Sequence, residues 1–203
     1  MLECAFVIHN PCKDEVILNV TITMVFQVVI HDNTYDTNTF GLPLGIFSAP
    51  NRNGHTATLA HALTLKEGTQ DYVWQFSCYL KAVGIAMKAL FIDADPASTA
   101  VALQVFPDAH VVWCLWHIYK NLAKHLKGSM KGQEYEAFTK KFSNAQRQTS
   151  KESFLQLYNH MKAEHPIAVR YLDAQLTPNI DTWASCNTKV RLSTCACVGC
   201  MHV

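Results

Sequence analysis

Two aspartates each stand behind a short apolar run: Met24–Ile30 stops at His31-Asp32, and Ala89–Ile92 stops at Asp93. A run of that kind meeting a carboxylate is how an α/β fold presents an acid at the carboxyl end of a strand. Two carboxylates on adjacent strand ends suit magnesium or manganese, which take oxygen ligands. In a two-metal site the ions sit ~3.5–4 Å apart and stabilise the attacking and leaving oxygens of phosphodiester transfer. Such a centre normally takes a third acid. Asp95 follows closely, but Asp93 ends the strand and is the better candidate. Asp also caps helices and ends strands for structural reasons, so the pair alone leaves both readings open. A second constellation is Cys114-Leu-Trp-His117. It could hold zinc, although two ligands fall short of the usual four, and a structural contact is the stronger reading.

The elements that must position these residues follow in a definite order. Leu42–Ala49 and His55–Leu65 read as strands, with turn chemistry at 33–41 and 50–54, which gives an antiparallel meander with Met24–Ile30. Asp71–Val83 has helical spacing and meets Gly84, a common helix terminator. Strand Ala89–Ile92, helix Ser98–Phe106, strand His110–Trp113 and a helix opening at Cys114 complete the order. Beyond Gly128 the pattern is helical, over Gln133–Ala145, Lys151–Glu164 and Ile167–Ala174, with boundaries at Pro166 and Pro178. Residues 1–15 carry no clear pattern. The expected class is α/β: an RNase H-like mixed sheet with flanking helices at 21–127, after a poorly patterned leader at 1–20. A mostly helical insertion and tail follow at 128–203. In such a core the first strand and the strand after the first helix are neighbours, which brings Asp32 to Asp93.

Composition narrows the class further. With 203 residues, 49% of them hydrophobic, the chain can bury a sizeable core. Its longest apolar stretch, Val16–Ile30, is interrupted by polar residues and falls short of the ~18–20 residues a membrane span needs. The first residues lack the basic region and cleavage site of a signal peptide. The eight cysteines are accordingly expected as reduced thiols in an intracellular protein. A net charge of +1 argues against a strongly basic nucleic-acid binder, yet Lys120, Lys124, Lys127, Lys131, Lys140, Lys141, Arg147 and Lys151 crowd one segment. That crowding is either a solvated helical face or a phosphate-contacting one.

Four linked motifs carry a resemblance. Asp32-Asn-Thr-Tyr-Asp-Thr-Asn38 with Gly41-Leu-Pro-Leu44, Glu67 with Tyr72-Val-Trp74, Phe91-Ile-Asp93-Ala-Asp95 with Val105-Phe-Pro107, and Cys114-Leu-Trp-His117 with Asn121 resemble the signature of the Mutator-like element (MULE) transposases. The likeness covers roughly 24–127. It implies an RNase H-like fold with a helical insertion, and metal-dependent DNA strand cleavage and joining through two Asp and one Glu. Asp32 and Asp93 match the two Asp as catalytic residues and as ligands of Mg2+ or Mn2+; zinc is not expected. It also implies DNA, as transposon ends, for a partner, with Lys120, Lys124, Lys127 and Lys131 as candidate contacts. A nuclear location and a homo-oligomer are in keeping with it, and a membrane is not.

The family's third acid belongs in a segment like T-x-x-x-V-E-G-x-H. This chain has Thr194-Cys-Ala-Cys-Val198-Gly199-Cys-Met-His202, which sets Gly199 where the Glu would stand. A zinc knuckle from Cys195, Cys197, Cys200 and His202 is too cramped to compete. The expectation is a transposase-derived catalytic-core fragment that lacks one metal ligand and strand-transfer activity. Three alternatives remain: an active nuclease whose third acid comes from elsewhere or from a second chain, a domesticated DNA-binding or transcription-regulating protein like the far-red-response proteins of plants, and a relic with no selected function.

Overall fold

The computed structural model describes residues 5–8, 28–50, 55–84, 87–130 and 132–188. Two compact units divide them, one reaching Val111 and the other beginning at Val112.

The first unit is built on a mixed sheet of six strands in the order β1-β4-β3-β2-β5-β6. The strands are β1 (Ala5–Ile8), β2 (Val28–Thr34), β3 (Leu44–Pro50), β4 (Thr56–Leu63), β5 (Ala89–Ile92) and β6 (His110–Trp113). β2, β3 and β4 form the expected antiparallel meander, and β5 pairs parallel to β2. Two helices connect the later strands, α1 (Thr69–Val83) and α2 (Pro96–Val105).

Alternation along β2 and β5 divides the sheet into two faces. Val29, His31, Leu90 and Ile92 are all buried on one of them. α1 covers that face, because Tyr72, Phe76 and Tyr79 recur at helical spacing and pack on the sheet. Phe47 stacks on Tyr79 at 4.5 Å and meets Phe76 edge-on at 6.0 Å. His31 lies among these rings, 4.6 Å from Phe47 and 5.0 Å from Phe76. Its Nε2 is 2.7 Å from the buried Gln75 side chain. Gly45 is required at this place: a Cβ there would come within 2.5 Å of Gln75 Oε1 and 2.9 Å of Asn33 Oδ1. α1 ends where Gly84 adopts φ 64° and its N–H donates to the Leu80 carbonyl at 2.9 Å.

Two departures from expectation concern strands. β1 lies in the stretch without pattern; its four residues are too short to show a period, and its pairing with β4 is what makes it a strand. β2 runs on through Asp32 to Thr34 instead of stopping before it, because Asn33 and Thr34 pair with Gly45 and Leu44 of β3.

The second unit is helical: α3 (Leu115–Leu126), α4 (Gln133–Gln146), α5 (Lys151–Glu164), α6 (Pro166–Tyr171), α7 (Ile180–Trp183) and α8 (Ser185–Thr188). Its core is aromatic. The Trp183 ring stacks on Phe142 at 5.2 Å and meets Phe154 edge-on at 5.6 Å, and its Nε1–H donates to the Leu176 carbonyl at 2.9 Å. The helix expected at Ile167–Ala174 is shorter than its spacing suggests. It opens into a π-turn at Leu172–Leu176, which keeps both Leu172 and Leu176 buried, and then tightens at Thr177–Asn179. Among the described residues no helix is long and apolar enough to cross a membrane.

Candidate functional site

Each aspartate follows the paired stretch of β2 and β5 by two residues. Val28, Val29 and Ile30 of β2 pair in sequence with Ala89, Leu90 and Phe91 of β5. Continued by two residues, that register would set Asp32 level with Asp93 on neighbouring strands, which lie ~4.7–4.9 Å apart. In-register residues of parallel strands share a face, so Ile30 and Phe91 stand on the face opposite Val29 and Leu90. Both acids are partly exposed. At this level the sheet parts: β5 ends at Ile92, whereas β2 continues beside β3. Asp93 thus follows the carboxyl end of β5, the side of a sheet on which open α/β folds bind ligands.

The neighbouring Asp95 has a structural task. Its carboxylate accepts the Ser98 N–H at 2.7 Å and its carbonyl accepts the Thr99 hydroxyl at 2.7 Å, so it caps α2 ahead of Pro96. One Asp93 carboxylate oxygen accepts the Ala94 N–H. Oxygen donors one strand spacing apart fit a hard divalent cation, for which Asp32 and Asp93 would be the ligands. Among the described residues no group of three or more His, Cys, Asp or Glu is placed to hold a metal. The segment Thr194–His202, with Gly199 and the clustered cysteines, lies outside the described residues.

A feature that the spacing of the acids does not reveal surrounds the Tyr72 hydroxyl, which lies 3.4 Å from the donating Asn33 Nδ2. Burial, and then the charges of Glu67, Asp95 and Asp93, hold the Tyr72 phenol well above its ordinary range. Tyr35 is raised likewise, by burial first and then by donating its hydroxyl to Glu67. Both phenols therefore stay protonated as donors. Glu67 was legible only as part of the motif shared with Tyr72 and Trp74.

Cys114 is the N-terminal cap of α3, with His117 one turn along. Burial works to raise the Cys114 thiol, but the hydrogen bond and charge of His117, with backbone N–H groups of His117 and Trp116, bring it below its ordinary value. The pair is thus joined to itself across the first turn. Trp116 is 60% exposed, and Lys120 Nζ lies 4.8 Å over its ring. Lys124 and Lys127 are exposed on the same helix, and Lys131 falls outside the described residues.

A mixed sheet with Asp32 on β2 and Asp93 directly after the neighbouring parallel strand β5, followed by a Cys-x-x-His helix start, defines a mixed α/β domain. Residues 28–121 match the MULE transposase domain, to which this segment of the chain is similar. Among curated proteins the chain is 30% identical over 101 residues to Protein FAR1-RELATED SEQUENCE 5 of Arabidopsis thaliana, covering 49% of the chain and 13% of that protein. It is 28% identical over 118 residues to Protein FAR-RED IMPAIRED RESPONSE 1 of the same plant, covering 58% of the chain and 14% of that protein. The chain thus spans a small part of the curated relatives it matches.

Proposed function

We propose that the chain is a transposase-derived DNA-binding domain whose paired aspartates are what persists of a metal-dependent DNA-cleavage centre, and that it does not carry out strand transfer. The observation that supports this reading is the parallel pairing of β2, which carries Asp32, with β5, which leads into Asp93. The strand order β4-β3-β2-β5-β6, a meander followed by parallel additions, supports an RNase H-like core. Mg2+ or Mn2+ would supply Lewis-acid stabilisation of phosphate oxygens there. The chain's own part is to hold two carboxylates at one level, with the Tyr72 and Tyr35 hydroxyls nearby as protonated donors. With no third ligand beside them among the described residues, the pair favours binding of a cation and of DNA over cutting. The relatives named for far-red responses favour a regulatory role, with a nuclear location to match.

A second reading has its own support. Glu67 acts on the Tyr72 phenol together with Asp93 and Asp95, so a carboxylate from the start of α1 could complete the centre in an active nuclease. The experiment is a cleavage assay on labelled terminal-repeat duplex in Mg2+ or Mn2+, with Asp32→Ala, Asp93→Ala and Glu67→Gln. The proposal expects DNA binding without nicks in every protein. Nicks abolished by all three substitutions would establish the second reading instead.

A further inference from the structure

Away from the two aspartates, the helical unit holds an open groove of about 700 Å³ between α3 and α4. Tyr119 comes from α3, whereas Tyr135, Thr139, Lys140, Ser143 and Arg147 come from α4. Tyr135, Thr139, Ser143 and Arg147 recur every four residues, so they form one stripe along the helix, with Lys140 alongside. The opposite side of α4 carries Phe138, Phe142 and Ala145 into the core, which fixes the orientation of the stripe.

The chemistry of the lining is one-sided. It has two cations, two hydroxyls, two phenols and the Asn144 amide, and no carboxylate. Lys141 pairs with Glu164 and Lys162 with Asp173, but among the described residues neither Lys140 nor Arg147 has an ion-pair partner. Glu136 stands one turn before Lys140 without lining the groove. Two cations seven residues apart on one helix face stand ~10 Å apart along the axis. That separation exceeds one phosphate group, so the two flexible side chains reach separate phosphates of one strand. The tyrosines offer apolar rings to a base, which duplex DNA keeps stacked inside and a single strand presents. Burial, with Tyr119 beside it, raises the Tyr135 phenol and keeps it neutral. On the α3 side, Tyr119 lies three residues from Trp116, so the same surface continues into the Trp116–Lys120 pair.

We infer that this groove binds single-stranded DNA, with Lys140 and Arg147 on backbone phosphates and an unpaired base against Tyr135 and Tyr119. The inference rests on the DNA-binding reading above and gives it a location in the helical unit. The test is fluorescence anisotropy of a short labelled oligo-dT strand and a matched duplex, titrated with the whole chain across a salt series without divalent ions. Lys140→Ala with Arg147→Ala is expected to weaken single-strand binding roughly tenfold and to reduce the salt slope by about 1.4, since each single-strand phosphate contact contributes ~0.7. Tyr135→Leu is expected to weaken the single strand about fivefold or more while leaving duplex binding within twofold. Lys66→Ala with Lys81→Ala, an equal change of charge at exposed sites in the sheet unit, is expected to change neither by more than twofold. If this control pair weakens binding as much as the groove pair, or if the groove variants bind like the parent, the groove is not the site, while DNA binding itself stands. If the parent chain binds neither probe, both the groove and the DNA-binding reading fail.

Discussion

The sheet unit and the helical unit put charge on display in opposite ways. In the sheet unit the two acids belong to neighbouring strands held in a hydrogen-bonded register that tolerates little change, because one residue of slip would turn the side chains of a strand to the other face. In the helical unit basic groups are spread along exposed stripes of α3 and α4, positioned by the buried side of each helix, aliphatic in α3 and largely aromatic in α4. The first arrangement suits a cation that needs defined oxygen geometry. The second suits a polyanion that can slide. One chain therefore keeps a stringent site and a permissive surface, and each should respond differently to perturbation.

The largest contrast is expected in the helical core. Trp183→Ala removes the ring that Phe142, Phe154 and Tyr158 all touch and should cost about 3–5 kcal/mol, read from urea unfolding followed by circular dichroism. Loss of groove binding together with retained metal affinity in that variant would show that the two regions are energetically separate.

The sheet unit has its own sensitive point in His31, whose pKa is lowered to about 4 by burial, partly offset by the Gln75 hydrogen bond. A histidine depressed in the folded state keeps its full contribution above its unfolded pKa of ~6.5 and loses it as pH falls from there towards the folded value. Stability should drop by on the order of 3 kcal/mol between pH 7 and 4 from this residue. The pH-dependent part should shrink in His31→Gln, and an unchanged profile would mean that other groups carry the acid sensitivity.

These regions were not equally legible. The strand before Asp93, the meander and the helix start at Cys114 could all be read, because strand ends, turn residues and caps are local signals. The continuation of β2 to Thr34 was hidden, since it depends on β3 as a partner. β1 was hidden for the same reason. The lysine-rich segment was visible as charge, but its partition into ion-paired Lys141 and unpaired Lys140 depends on where α5 puts Glu164. The π-turn at Leu172–Leu176 likewise answers to burial and leaves no mark in spacing.

Smaller effects sharpen the account of the acids. Gly45→Ala forces a Cβ towards Gln75 and Asn33 and should destabilise by about 1–3 kcal/mol in thermal unfolding. Asp95→Ala should cost about 1 kcal/mol through the lost α2 cap while leaving Mn2+ affinity within twofold. A large loss of Mn2+ affinity in that variant would move Asp95 from helix cap to ligand.

The most direct test is the fate of a labelled terminal-repeat duplex incubated with the purified chain and Mn2+, alongside Asp93→Ala. The account predicts bound but intact duplex in both. Nicked duplex with the parent chain and intact duplex with Asp93→Ala would contradict it.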